Sequence, residues 1–254
     1  MRIVCVSNSA TSSLSALALQ LDIPLLASSE DIQSYDYFIV MNNDVLQLCP
    51  VDKHRGGPLL VDFQSASTEY RRTTSGIKQD IAKAVGCKPA YRPRVLDVTA
   101  GLGGDAFILA SVGCDVSLLE NNGLVYALLA DGIKRAEQSG SDVAVIVNER
   151  LHLLAQQDAC DFLKATTDVF DVVYLDPMFP ERQKSAKVKK AMQYFHDVVG
   201  CYHEQESELF FAAMQNALHR VVVKRPKLAP LLANQAPSYQ VKGKSVRYDI
   251  YLTR

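Results

Sequence analysis

The sequence has no stretch approaching the ~18 consecutive apolar residues needed to cross a bilayer, so no membrane span is expected. Its opening apolar run, within Met1-Arg-Ile-Val-Cys-Val-Ser-Asn-Ser, is too short for a signal peptide and has no cleavage context, and it reads as a first strand. Cys5, Cys49, Cys87, Cys114, Cys160 and Cys201 are scattered without a Cys-x-x-Cys pair. That argues against a disulfide framework and for reduced thiols in a cytoplasmic protein. Cys201-x-His203 lacks two further ligands nearby, so no metal is expected. No serine-centred nucleophile motif, internal repeat or low-complexity tract is found. The net charge of −1 excludes a polycation, and any nucleic-acid partner would have to be held by a local basic patch.

What is present is the composition of an ordinary globular chain: 254 residues, 48% hydrophobic and 22% charged. Residues 1–90 read as a small α/β subdomain. Within it, strands are expected at 3–6, 37–41, 45–48 and 59–63, and helices at 14–21 and 77–85, with a polar, basic stretch at 68–75. Asn42-Asn-Asp44 is a hairpin signal. Gly86 can end a helix, and Pro89 and Pro93 enforce extended chain, so a boundary is placed there. Residues 91–254 form the second domain. Strands at 94–98, 115–119, 150–154, 170–175 and 220–224 alternate with helices at 106–112, 124–136, 159–165 and 207–218. This alternation predicts an α/β fold with a mostly parallel sheet covered on both faces. Two last strands, 239–241 and 245–252, have no helix between them and suggest an antiparallel edge. Ligands of such sheets bind outside the carboxyl ends of the strands.

The strand ends carry the candidate chemistry. Ala100-Gly-Leu-Gly-Gly-Asp105 follows the first strand of this domain. Gly101 and Gly103 let backbone approach a ligand, and the next helix offers free N–H groups. The spacing also satisfies a dinucleotide pattern, so a nicotinamide-dependent oxidoreductase stays open, as does a ligand-free turn. Asp97 is placed to receive a donor's ammonium group, and Asp105 begins the helix, where simple capping is the plain alternative. Glu120, after the second strand, can accept both hydrogens of a ribose diol. Gln156-Gln157-Asp158, after the third, could meet an adenine amino group or be a solvated loop. Tyr174-Leu-Asp-Pro-Met-Phe-Pro180 follows the fourth. Here the Asp176 carboxylate and the Pro177 carbonyl could accept the two hydrogens of an exocyclic amine while Phe179 stacks on an extruded base. A proline turn with a packed Phe is the alternative.

Asp97, the glycine loop, Glu120 and Asp176-Pro-Met-Phe179 together resemble the Rossmann-like methyltransferases. The last segment is similar to the Asp/Asn-Pro-Pro-Tyr/Phe motif of amino-group methyltransferases. More narrowly, residues 96–113, 173–190 and 220–226, with Arg247-Tyr-Asp-Ile-Tyr251 and Lys83-Ala-Val-Gly86, resemble the ribosomal RNA small subunit methyltransferase J family. The resemblance implies S-adenosylmethionine as donor and the N2 of a guanine in 16S ribosomal RNA, or the small subunit, as acceptor. Carried over by position, it implies donor contacts at Gly104, Asp105, Glu120, Asn121, Gln157, Asp158 and Asp176. The chain departs from the pattern at Gly104, where arginine is usual, and at Gln157-Asp158, where two serines are.

Arg182, Lys184, Lys187, Lys189 and Lys190 follow the candidate catalytic segment directly. Arg220, Lys224, Arg225 and Lys227 sit at another strand end, and Lys242, Lys244 and Arg247 lie near the last strand. If these converge, they make a phosphate-binding rim; each run alone would be a solvated face. The acidic island 204–208 is expected to point elsewhere.

Overall fold

A computed structural model describes residues 1–7, 12–27, 29–74, 76–177 and 206–253. The chain divides into two compact units. The described part of the smaller unit comprises Met1–Val61 and Asn122–Gly132. It holds strands β1 (Ile3–Val6), β2 (Leu25–Leu26), β3 (Tyr37–Asn42) and β4 (Val45–Pro50), with helix α1 (Ser12–Gln20) between the first two. The sheet order is β2-β1-β3-β4. β1 runs parallel to β2 and β3, while β3 and β4 form the expected hairpin. Asn43 and Asp44 take φ of 49° and 59°, the left-handed turn geometry that short polar side chains tolerate. Residues 59–63 do not form a strand; only a bridge between Leu48 and Leu59 is made. Gly132 has a packing role here: a Cβ on it would sit 2.3 Å from the Val61 Cγ1 methyl.

The larger unit comprises Asp62–Asn121, Ile133–Phe179 and Tyr202–Arg254. Its chain therefore begins well before the expected junction near residue 90. Helix α2 (Ala66–Thr73) occupies most of the polar, basic stretch, to which the sequence assigned no element, and Ser65 caps it by accepting the Thr68 N–H. α3 (Asp80–Val85) follows and ends at Gly86 in the left-handed conformation. Seven strands come next in order along the chain: β5 (Arg94–Asp97), β6 (Asp115–Leu118), β7 (Leu151–Leu153), β8 (Phe170–Leu175), β9 (Ala217–Pro226), β10 (Tyr239–Lys242) and β11 (Val246–Leu252). The helices that follow, among the described residues, are α4 (Gly104–Ser111), α5 (Gly123–Glu137, which begins in the smaller unit), α6 (Asp142–Arg150), α7 (Ala159–Ala165) and α8 (Glu206–Asn216). α6 is absent from the sequence reading because its Val143, Ala144, Ile146 and Val147 lie in a β-branched run that conceals a helical face.

The sheet order is β10-β11-β9-β8-β5-β6-β7. β9, β8, β5, β6 and β7 are parallel, and β11 and β10 close the edge antiparallel. The central strands are buried on both faces, which is why Val221-Val222-Val223 reads as an unbroken apolar run. Register assigns the faces. Leu96, Val173 and Val221 lie in one row and pack with Phe210, Ala213 and Leu163 of the helices. The alternate row carries Asp97, Tyr174 and Val222, so these side chains share the opposite face near its carboxyl end. No helix among the described residues is long and apolar enough to cross a membrane.

Candidate active site

The glycine loop is built by backbone constraints at the end of β5. Val98 N–H donates to the Tyr174 carbonyl at 3.1 Å, and Ala100 N–H donates to the Leu119 carbonyl at 3.0 Å. The loop then turns back on itself, with Gly101 and Gly103 at φ of 54° and 73°, a region that favours glycine. Gly101 N–H donates to Glu120 Oε2 at 2.9 Å, so the buried acid at the end of β6 lies directly against the loop. Asp97 is 2% exposed and accepts the Thr99 N–H at 3.0 Å. Burial, reinforced by the charges of Asp105 and Asp176, pushes its carboxyl up to about 8 against the Thr99 hydrogen bond.

Gly103 stands at the cap position of α4 without a side-chain bond, and Asp105 lies in the first turn but does not cap it. Its Oδ2 receives the Tyr174 hydroxyl at 2.6 Å and Lys224 Nζ at 2.8 Å, and its Oδ1 pairs with Arg71 of α2. Burial alone would raise its pKa, but the Lys224 and Arg71 cations outweigh that and hold it well below the usual range. Lys224 also donates to Asp176 Oδ2 at 2.7 Å. Burial would lower the Lys224 pKa, yet its two carboxylate partners raise it. For Asp176 burial is the larger effect: its pKa is raised despite Lys224. The Asp176 N–H donates to the Thr99 hydroxyl at 2.6 Å, so Thr99 ties the ends of β5 and β8 together. Neither Thr99 nor the bridging place of Lys224 was foreseen. Lys224 closes the apolar run Val221-Val-Val, but its place beside Asp176 follows only from the β8–β9 pairing.

The loops after β6 and β7 contact one another. Gln156 Nε2 donates to the Asn121 carbonyl at 2.9 Å, and Asn121 Nδ2 lies 3.5 Å from Asp158 Oδ2. Asp158 Oδ1 also caps α7, accepting the N–H groups of Cys160 and Asp161 at 2.8 and 3.2 Å. The Gln157 amide donates to the Ala155 carbonyl at 3.3 Å. Gly104 opens α4, with Arg71 3.7 Å from the position its Cβ would take. Pro177 follows Asp176 directly, whereas Phe179, Arg182, Lys184, Lys187, Lys189 and Lys190 lie outside the described residues.

The expected basic rim is corrected in part. Lys224 belongs to the acid cluster. Arg225 is 2% exposed, donates to the Pro230 carbonyl and lies 3.6 Å from Glu206 of the acidic island. Arg247 is buried against Asp249 at 2.9 Å and donates to the Pro226 and Lys227 carbonyls. Buried, hydrogen-bonded guanidinium groups fix backbone and do not reach for phosphate.

S-adenosylmethionine presents an ammonium, a ribose diol and an adenine. The residues fit such a ligand: a buried acid that gains by meeting a cation (Asp97), a second acid against a glycine turn (Glu120), and a polar loop pair beyond it. Together with the strand order, this arrangement defines the Rossmann-like S-adenosylmethionine-dependent methyltransferases. The family described as "Putative SAM-dependent methyltransferase" matches residues 25–253. A SAM-dependent methyltransferase of Neisseria gonorrhoeae has a similar solved structure, with a TM-score of 0.75 and 35% identity, covering 99% of this chain and 96% of its own. "Ribosomal RNA small subunit methyltransferase J" of Cellvibrio japonicus is 43% identical over 98% of this chain and 96% of its own length. The protein of that name from Pseudomonas aeruginosa is 46% identical over 92% of this chain and 87% of its own. The chain belongs to the ribosomal RNA small subunit methyltransferase J family, and its cofactor is S-adenosylmethionine, not a nicotinamide dinucleotide.

Proposed function

We propose that the protein transfers the methyl group of S-adenosylmethionine to the exocyclic N2 of a guanine in 16S ribosomal RNA. The relatives' name supports the RNA class. The observation that carries the amine is Asp176, the terminal acid of β8, held through one oxygen by Lys224 and followed by Pro177. Its second oxygen and the Pro177 carbonyl are two acceptors for the two hydrogens of an amino group. An exocyclic amine is a poor nucleophile because its lone pair is delocalised into the ring. Two acceptors that bend the N–H bonds out of the ring plane return that lone pair to nitrogen.

The donor supplies an already activated methyl on sulfonium. The residues of the chain then have to align nitrogen with that methyl and exclude water, which can lower a barrier by several kcal/mol. Asp97 would receive the donor's ammonium, Glu120 the ribose diol, Gly101 and Gly103 the close approach of the donor, and Asn121, Gln157 and Asp158 the adenine end. Asp105, beside Gly104, would hold the loop through Tyr174 and Lys224. Phe179 would stack on the extruded base, and Arg182, Lys184, Lys187, Lys189 and Lys190 would meet phosphates next to it. The nitrogen–carbon bond would form as the sulfur–carbon bond breaks, leaving S-adenosylhomocysteine, and the extra proton on nitrogen would pass to solvent.

The test is remethylation of 16S ribosomal RNA, free and in small subunits, from cells lacking the protein, followed by nucleoside mass spectrometry. N2-methylguanosine is the expected product. A methyl on any other base or atom rejects this acceptor.

A further inference from the structure

A cavity in the larger unit, about 450 Å³, lies between α2–α3 and the β10–β11 turn. It is well separated in sequence from the donor loop and takes its walls from residues 70–81 and 243–248. The β10–β11 turn is seated closely: a Cβ on Gly243 would lie 3.0 Å from the Val246 carbonyl oxygen and 3.2 Å from the Asp80 carboxylate. Three cations line the cavity, Arg71, Lys78 and Lys244. Lys78 and Lys244 are exposed and have no anionic partner among the described residues. The one acid in the wall, Asp80, is already paired with Lys83 at 3.0 Å. Tyr70, 73% exposed, lines the cavity and has no aromatic stacking partner among the described residues.

The cavity shares wall residues with the acid cluster's neighbours. Arg71 lines it and pairs with Asp105. Tyr248 lines it too, and lies opposite Lys224 in the β9–β11 register. One side-chain layer therefore separates the cavity from the lysine that holds Asp176.

We propose that this cavity binds the single-stranded RNA segment adjoining the extruded guanine, with one flanking base on Tyr70 and its phosphates on Lys78 and Lys244; this rests on the ribosomal RNA reading above. The volume accommodates about one nucleotide, within the usual range of ligand cavities, and is too small for a duplex. An aromatic platform beside unpaired cations is the common construction for single-stranded nucleic acid. The surrounding strand is held where its neighbour can reach Asp176.

The test uses the full chain, a 16S ribosomal RNA transcript and small subunits. Tyr70→Ala is expected to weaken RNA binding by about 5- to 150-fold, the loss of one stacked base, while Tyr70→Phe keeps wild-type affinity. Lys78→Ala with Lys244→Ala is expected to flatten the log–log salt dependence by about 0.7 per lost contact. Calorimetric affinity for S-adenosylmethionine should stay at the wild-type value in all three variants. Wild-type RNA affinity and salt slope in the variants of an enzyme that methylates ribosomal RNA overturn the cavity's role alone. A parallel loss of donor affinity also overturns it, because the residues would then be acting through the fold. If the unaltered enzyme neither binds nor methylates ribosomal RNA, the substrate reading fails, and the cavity's assignment fails with it.

Discussion

Lys224 Nζ lies 2.7 Å from Asp176 Oδ2 and 2.8 Å from Asp105 Oδ2, so one ammonium joins the end of β8 to the start of α4. The groups facing Asp176 are Lys224 on β9, Asp105 on α4, Arg71 on α2, Asp97 on β5, Tyr174 on β8 and Tyr248 on β11. Lys224 is the close cation among them, Arg71 being engaged by Asp105. Removing Lys224 takes away the main influence that lowers the Asp176 pKa and leaves the Asp105 charge that raises it. For Lys224→Met we expect the acid limb of the methylation rate to move to higher pH and turnover near neutrality to fall about 10- to 100-fold. Lys224→Arg should restore the limb. Single-turnover rates across pH at saturating donor check this, and an unchanged profile in Lys224→Met removes the coupling.

Asp97 predicts a proton linkage. In the folded free protein its carboxyl is raised from 3.8 to about 8, so the folded state binds the extra proton between those values. Its contribution to stability is complete below 3.8 and declines as pH rises through about 8. An ammonium beside it reverses the balance and favours the carboxylate. Donor binding at pH 7 should then release close to one proton, and affinity should strengthen as pH rises from about 6 to 8. Calorimetry in buffers of different ionisation enthalpy measures both. Asp97→Asn should abolish the release; proton release persisting in that variant would show that another group is responsible.

The parts of this fold legible in the sequence are those where one local pattern has one meaning. Buried parallel strands read as apolar runs, and the turn at Gly101 and Gly103 needs glycine whatever its ligand. Strand-end acids could be located because a strand's end is a local property. Partners across strands could not. Nothing local tells that Lys224 stands beside Asp176, which follows from strand order and register, or that Arg225 faces Glu206, which follows from the packing of α8 on the sheet. Arg247 and Asp249 are separated by one residue on β11, where period-two alternation puts them on one face. The pair is legible in that alternation, whereas grouping Arg247 with Lys242 and Lys244 by charge alone overlooks it. Residues 142–150 were missed because valine and isoleucine leave helix and strand equally open over so short a run.

The Arg247–Asp249 pair gives a stability prediction that tests its structural role. Their side chains are 7% and 0% exposed. Gln240 Nε2 also donates to Asp249, at 2.6 Å. Asp249→Ala strands a buried guanidinium, and unfolding free energy should fall by about 3–5 kcal/mol. Chemical denaturation measures it. The salt slope of RNA binding should not change when the variant is measured folded. A stable Asp249→Ala protein would mean that Arg247 is free to move to solvent, and its role at the β9–β11 seam would be withdrawn.

The last prediction concerns the chemical step. If Asp176 accepts a hydrogen from the guanine amine in the transition state, its removal must affect turnover more than binding. Asp176→Ala loses the acceptor and leaves Lys224 paired with Asp105 alone. Turnover at saturating donor should fall by at least about 100-fold, the scale for a group acting in the transition state. Asp176→Asn retains an acceptor oxygen of the same shape but loses the charge that Lys224 meets, so it should retain an intermediate rate. The two variants also separate two roles. If Asp176 served chiefly to hold Lys224, the amide would behave as the alanine does, because neither carries a charge. If it serves as acceptor, the amide stands well above the alanine. Donor affinity must be measured alongside, and RNA affinity should stay within a few-fold of wild type. A folded, donor-saturated Asp176→Ala enzyme that methylates at the wild-type rate would place the amine's acceptor elsewhere in the site.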